Sequence, residues 1–189
     1  MTGTSSDARL ITLTMLGTWL VLATVPFWIS AVGLYPYIGV EIVIWSIYAL
    51  AFNLLLGTSG LPSFGHGAFF GVGAYAFGLT QFSIAANIWV CLAGALLAGA
   101  FAGLLVGLFI AHRRGIYFAL MTIAFGQIFW TISVKWHSVT GGEDGLLNIA
   151  RLPVNLGVVS FDITDNDALY YFVLAVFAVV VVLLWRLVN

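Results

Sequence analysis

His66 stands between two glycines in the stretch GLPSFGHGAFFG, residues 60–71, inside a chain whose apolar runs hold few titratable groups. An imidazole can move a proton, ligate a metal or hydrogen-bond as a neutral ring. Proton relays in membranes use chains of Asp, Glu and His, and no carboxylate lies near His66 in sequence. A packed neutral ring therefore stands beside proton chemistry as a reading. Glu41 is a second ionisable group in an apolar run. It is either a pathway residue or an anchor that reaches interfacial water, because a charge inside lipid is costly. The stretch TGGEDG, Thr140, Gly141, Gly142, Glu143, Asp144 and Gly145, carries one acidic pair. One pair falls far short of a calcium loop, so a tight structural turn or a docking surface suits it better than a metal.

Other chemistry is excluded by what the chain lacks. Cys91 is the sole cysteine, so no intrachain disulfide and no zinc spacing exists. Lys135 is the sole lysine and sits in no GxxxxGK[ST] stretch, so any nucleotide hydrolysis belongs to another chain. No clustered acid, base and nucleophile points to an enzyme. A net charge of −1 gives no footprint for nucleic acid.

The elements that must position these residues are membrane helices. The 189 residues are 62% hydrophobic and 7% charged, with mean hydropathy +1.12. Soluble domains average about 25% charged residues. An all-α integral membrane protein follows, as a single transmembrane domain over 1–189. Spanning the hydrocarbon takes about 20 apolar residues. About six stretches qualify: residues 10–30, 38–56, 64–80, 87–111, 116–134 and 169–188. The first apolar run is too long for a signal peptide and reads as an uncleaved span. The third is short and glycine-rich, and is a full span, a broken helix or a re-entrant segment.

Orientation follows from arginine placement. With six crossings, Arg9, Arg113, Arg114 and Arg186 all fall on one side, which predicts a cytoplasmic N-terminus. The loop over 135–168 then faces outward. Trp28, Tyr35, Tyr37, Trp89, Trp136, Tyr170 and Tyr171 fall near outer ends, where an interfacial aromatic belt is expected.

Small residues mark packing faces. Gly99, Gly103 and Gly107 form a doubled GxxxG, which predicts close helix packing within the chain or, as the sharper alternative, an oligomer interface. Gly115, Ala119, Thr122, Gly126 and Ser133 share one face of the next helix. Near His66, Pro62 disfavours helix at Leu61, and Ser63 suits the N-cap of the third segment. The glycines around it permit close approach of a neighbour. Irregular backbone at membrane depth is tolerated only against protein or a water-lined cavity. The stretch is thus either a cytoplasmic turn or a helix break beside a pathway.

Three motifs in order, NLLLGTSGLPSFGHGAFFGVGAYAFGL, RRGIYFALMTIAFGQIFW and WHSVTGGEDGLLNI, resemble LivM-type permeases of branched-chain amino acid ABC transporters. The resemblance runs from about residue 38 to 188. It implies a non-enzymatic subunit of the bacterial inner membrane, forming half of a translocation pathway for branched-chain or related hydrophobic amino acids. It also implies a LivH-type permease, two ATPase subunits carrying ATP and Mg, and a periplasmic amino-acid-binding protein as partners, with no cofactor on this chain. The stretch TGGEDG becomes a docking loop for that binding protein. On this reading Asn53, Ser63, His66, Thr122 and Gln127 lie on or near the path, since uncharged polar atoms suit a zwitterion that must enter and leave.

Leu61 and Pro62 depart from the commonest family pattern, which weakens any substrate assignment by residue. Family members continue beyond a span like residues 170–186 with an ATPase-docking segment, so a fragment or truncated product is expected. A urea or short-chain amide permease of the same superfamily is one alternative. An ATPase-independent channel or secondary transporter is another, although no internal repeat supports it. A haem anchor is disfavoured because His112 and His137 lie at loop ends.

Overall fold

A computed structural model describes residues 4–155 and 160–188. Among these residues the regular structure is helical, apart from one short hairpin. The elements are α1 (Thr4–Ile29), α2 (Pro36–Ser59), α3 (His66–Ser83), α4 (Ile88–Ile110), α5 (Ile116–Lys135), α6 (His137–Thr140) and α7 (Asn166–Val188). A 3-10 turn covers Gly142–Asp144. Strands β1 (Val154–Asn155) and β2 (Ser160–Phe161) pair antiparallel, with Val154 opposite Phe161.

Four helices, α2, α4, α5 and α7, are long and apolar enough to cross a membrane. About six were expected. The apolar part of α1 within the searched residues covers only Gly17–Ile29. At 18 residues α3 is long enough, but its glycines and polar side chains keep it outside that set. The chain is a multi-pass membrane protein.

Local chemistry explains several boundaries. Pro36 opens α2, where its missing N–H costs no helix bond. The Asn87 side chain caps α4 by accepting from the Trp89 N–H at 2.9 Å. Pro26 lies inside α1 and removes the N–H that would bond the Leu22 carbonyl. The Tyr170 hydroxyl, from α7, donates to that carbonyl instead. Tyr170 is therefore buried, at 2% exposure, among Val25, Ile29, Val40 and Val43. This corrects its expected place in an interfacial belt. The other six aromatic residues assigned to that belt are exposed.

Contacts sort the helix ends. The end of α1, the starts of α2 and α7, and Gly39 meet around Tyr170. The loop after α5 folds back over the end of α3, where Leu146 and Ile149 cover Gly78, and over the start of α4 through Ile88 and Cys91. The Arg151 guanidinium donates to the Thr164 carbonyl and to Asn166 Oδ1, and stands 6.0 Å from the Tyr37 ring centre. The Thr164 hydroxyl and then its amide donate to Asp162 and hold that carboxyl below its ordinary range. Leu55, Val106, Ile110 and Phe118 gather at the opposite end. Arg113 and Arg114 lie in the α4–α5 connection at this end, and Arg186 closes α7.

Candidate functional site: a helix break packed on α5

The site begins where α2 stops. Gly60 adopts the left-handed conformation at φ 65°, and its N–H bonds the Leu56 carbonyl at 2.9 Å. Pro62 then prevents helix from resuming at once. The chain doubles back. Leu61 packs with Val106, Ile110 and Phe118 near the end of α4 and the start of α5. Four residues later, Gly65 meets α5 at Thr122.

That meeting is backbone against backbone. A Cβ on Gly65 would lie 1.9 Å from the Thr122 carbonyl oxygen, so only glycine fits. One turn further along α5, a Cβ on Gly126 would lie 3.4 Å from the Gly65 Cα. The Phe64 N–H donates to Thr122 Oγ1 at 3.1 Å, and the Thr122 hydroxyl donates to the Ala119 carbonyl at 2.7 Å. Thr122 thus satisfies a donor that the break would otherwise orphan.

Ser63 is buried but does not cap α3, whose N-cap is Gly65. The expected cap fails because Ser63 lies too early. Its neighbour Phe64 bonds across to α5, and helix starts only at His66.

The His66 ring is half-buried among aromatic edges. Its centre lies 5.2 Å from Tyr48, 5.9 Å from Phe52 and 6.3 Å from Phe69. Tyr48 and Phe52 are well short of the end of α2, by about 10–16 Å at a helical rise of 1.5 Å per residue. Thr122 and Gly126 lie about 9–15 Å into α5 on the same measure. So α3 begins part-way along its neighbours, not level with their ends. The irregular backbone sits against protein, as its unsatisfied polar groups require.

Three of the five residues assigned to a path, Ser63, His66 and Thr122, come together at this break. Asn53 and Gln127 are exposed, and no hydrogen bond ties either to the other three. Sequence reasoning missed the crossing of Gly65 over α5 and the ring of Tyr48 beside His66. The small-residue face of α5 was the available signal, because it predicted that something packs closely there.

Beyond the crossing, α3 packs along α4 and more lightly on α5. A half-open cavity of 430 Å³ lies there, walled by α3, α5 and α6 with Ala98 of α4. Tyr75 and Ser133 bring hydroxyls to a wall that is otherwise mostly apolar, including Trp130 and Trp136.

The expected glycine turn forms at the far end of α5. Gly141, Gly142 and Gly145 all have positive φ. A Cβ on Gly141 would strike the Gly145 carbonyl oxygen at 2.1 Å. The Thr140 hydroxyl donates to the Ser133 and Trp136 carbonyls, at 2.6 and 2.8 Å. Glu143 and Asp144 stay exposed, and among the described residues no three metal-ligating side chains converge. On α4 the outcome differs from expectation. No described residue comes within 4 Å of a Cβ placed on Gly99, Gly103 or Gly107. Among the described residues, nothing packs closely on this doubled GxxxG.

Comparison with known proteins follows this geometry. The family described as "Branched-chain amino acid transport system / permease component" matches residues 35–189. The high-affinity branched-chain amino acid transport system permease protein LivM of Salmonella typhimurium strain LT2 is 36% identical over 108 residues. That stretch is 57% of this chain and 25% of the relative. LivM of Escherichia coli strain K12 matches with the same identity and coverage. The matched stretch is thus about a quarter of the length of these curated relatives. No solved structure shows a significant match.

Proposed function

The chain belongs to the branched-chain amino acid transport system permease component family, and from that membership we propose that it forms half of the translocation pathway of an ABC importer. The cargo is a branched-chain or related hydrophobic amino acid. The partners are a LivH-type permease, two ATPase subunits that bind ATP and Mg, and a periplasmic amino-acid-binding protein. The complex sits in a bacterial inner membrane. Six crossings are assigned, with α1 and α3 counted beside α2, α4, α5 and α7 and the N-terminus in the cytoplasm. The shared end of Arg113, Arg114 and Arg186 supports this orientation. The loop over residues 135–168 then faces outward. Its turn from Thr140 to Gly145 docks the binding protein.

One observation carries the reading: irregular backbone bearing Ser63 and leading into His66 is held against Thr122, part-way along two helices. Transporters place such interruptions at their binding sites, because unwound backbone is affordable only beside protein or a water-filled path. Ser63, His66 and Thr122 form the near wall of the path. Asn53 and Gln127 are its exposed flank toward the partner permease. None brings a fixed charge, which suits a zwitterion in transit.

The test is uptake of radiolabelled leucine by cells lacking their own branched-chain import, supplied with this permease and its partners. ATP-dependent accumulation is expected. Urea or a short amide accumulating in place of leucine would move the protein to another branch of the superfamily. Uptake that persists without the ATPase subunits would make it a channel or secondary transporter.

A further inference from the structure

We propose that the cavity between α3 and α5 is the outward-facing subsite for the cargo's aliphatic side chain, closed on its inner side by the crossing of Gly65 over Thr122 and Gly126. The proposal rests on the transport reading above and adds a location and a floor to it.

The shape argues first. At the lower end, Gly65 and α5 touch backbone to backbone, leaving no room for a methyl group on Gly65. Gly67 and Gly126 then start the cavity wall immediately above this contact. The wall continues along α5 to Ser133, about 10 Å by helical rise from Gly126, and on to Trp136 and Thr140. The lining thus runs from beside the Gly65 crossing to Thr140, next to the glycine turn.

Size decides what occupies it. The cleft offers 430 Å³. Small-ligand sites typically measure about 300–1,000 Å³ and combine apolar walls with a few polar groups. This cleft has that character. Leu79, Phe129 and Trp130 offer apolar contact, and Tyr75 and Ser133 offer hydroxyls. No ionisable carboxylate or ammonium lines it. An aliphatic side chain matches the walls, and an acidic or basic one would lose its hydration without a partner.

The floor also explains a feature that packing alone does not. Two backbones in contact seal against water without any side chain that must rotate, so a small parting of α3 from α5 would open the path past Ser63 and His66.

The experiment uses Cys91, which is the sole cysteine and fully buried, as a quiet background. Single cysteines replace Ala76 or Ser133 in the cleft, or Leu97 on the exposed face of α4. The complete transporter in right-side-out membrane vesicles is treated with a charged, membrane-impermeant thiosulfonate reagent. The Ala76→Cys and Ser133→Cys variants should be modified and Leu97→Cys should not. Saturating leucine should slow modification at both cleft positions at least threefold, and glutamate should leave it unchanged. No modification at either cleft position in assembled protein would overturn the proposal, because lipid or protein then fills the space. Modification without protection by leucine would overturn the subsite while leaving an aqueous cleft. Two independent positions keep the test usable where one substitution prevents assembly. The uptake assay reads separately: leucine import without cleft labelling sinks the subsite alone, and protected labelling without import sinks the transport reading alone.

Discussion

Two neighbouring helices carry the same kind of small-residue face, and among the described residues only one of them is used. On α5, Ala119 and Thr122 are buried and Gly126 lies against Gly65. On α4, Gly99, Gly103 and Gly107 line an open face. Lipid gives no hydrophobic drive for helix pairing, so close backbone approach and hydrogen bonds must supply it. The α5 face has both, because the break at residues 60–65 brings it a bare backbone and a donor, the Phe64 N–H. The α4 face has permission for close approach, but nothing among the described residues takes it. Small-residue spacing therefore states what a surface allows and leaves the partner unspecified.

Substitutions along the two faces should grade with the distances. The largest effect falls at Gly65→Ala, where the new Cβ would sit 1.9 Å from a backbone oxygen that cannot rotate away. A loss on the order of 4 kcal/mol, or failure to assemble, is expected. Retention of assembled protein in size-exclusion chromatography, with an unchanged melting point, would show that the crossing is not held as described. Gly94→Ala comes next. Its Cβ would meet Thr80 Oγ1 at 2.5 Å, between α4 and α3. Overpacking of this kind costs about 1–3 kcal/mol. The obstacle is a side-chain oxygen, so Thr80→Ala on top of Gly94→Ala should restore most of the melting point. No restoration would locate the strain elsewhere. Gly126→Ala is milder, with its nearest contact at 3.4 Å, and should stay within about 0.5 kcal/mol of the parent. A loss as large as that at Gly65 would mean the two helices are closer than the structure places them.

The same contrast shows what was legible beforehand. Membrane character and the helices α2, α4, α5 and α7 follow from long apolar runs, and the structure places their bounds within a few residues of the expected ones. Turn chemistry was legible too, since Gly141, Gly142 and Gly145 adopt the positive φ expected of them. The start of α1 was not, because Thr4–Ile29 includes polar residues that hydropathy reads as loop. Tyr170 was misplaced for a similar reason. Its partner is a carbonyl that Pro26 frees in another helix, and single-helix patterns hold no trace of that pairing. Ser63, His66 and Thr122 were each chosen as uncharged polar groups in apolar surroundings. Their convergence depends on how far the chain climbs after Gly60, which local spacing does not encode. The cleft was invisible for the same reason, since its walls come from three helices and the turn after α5.

The smallest expected effect on the chain itself belongs to the open face, and it sharpens the comparison most. Alanine at Gly99, Gly103 or Gly107 meets nothing within 4 Å. In a helix interior alanine is favoured over glycine by about 0.8–1.0 kcal/mol in water. The melting point of the isolated chain should therefore hold or rise slightly for Gly99→Ala, Gly103→Ala and the pair together. Leucine at the same positions should leave the isolated chain folded, because its Cβ meets nothing within 4 Å. If a second subunit takes this face, leucine would block close approach and lower recovery of the assembled transporter while alanine would reduce it less. Equal recovery of parent and leucine variants would make α4 a lipid-facing helix whose glycines serve no partner. A drop in the isolated chain's own stability would instead reveal a covering element within the chain, and the difference between the two glycine faces would disappear.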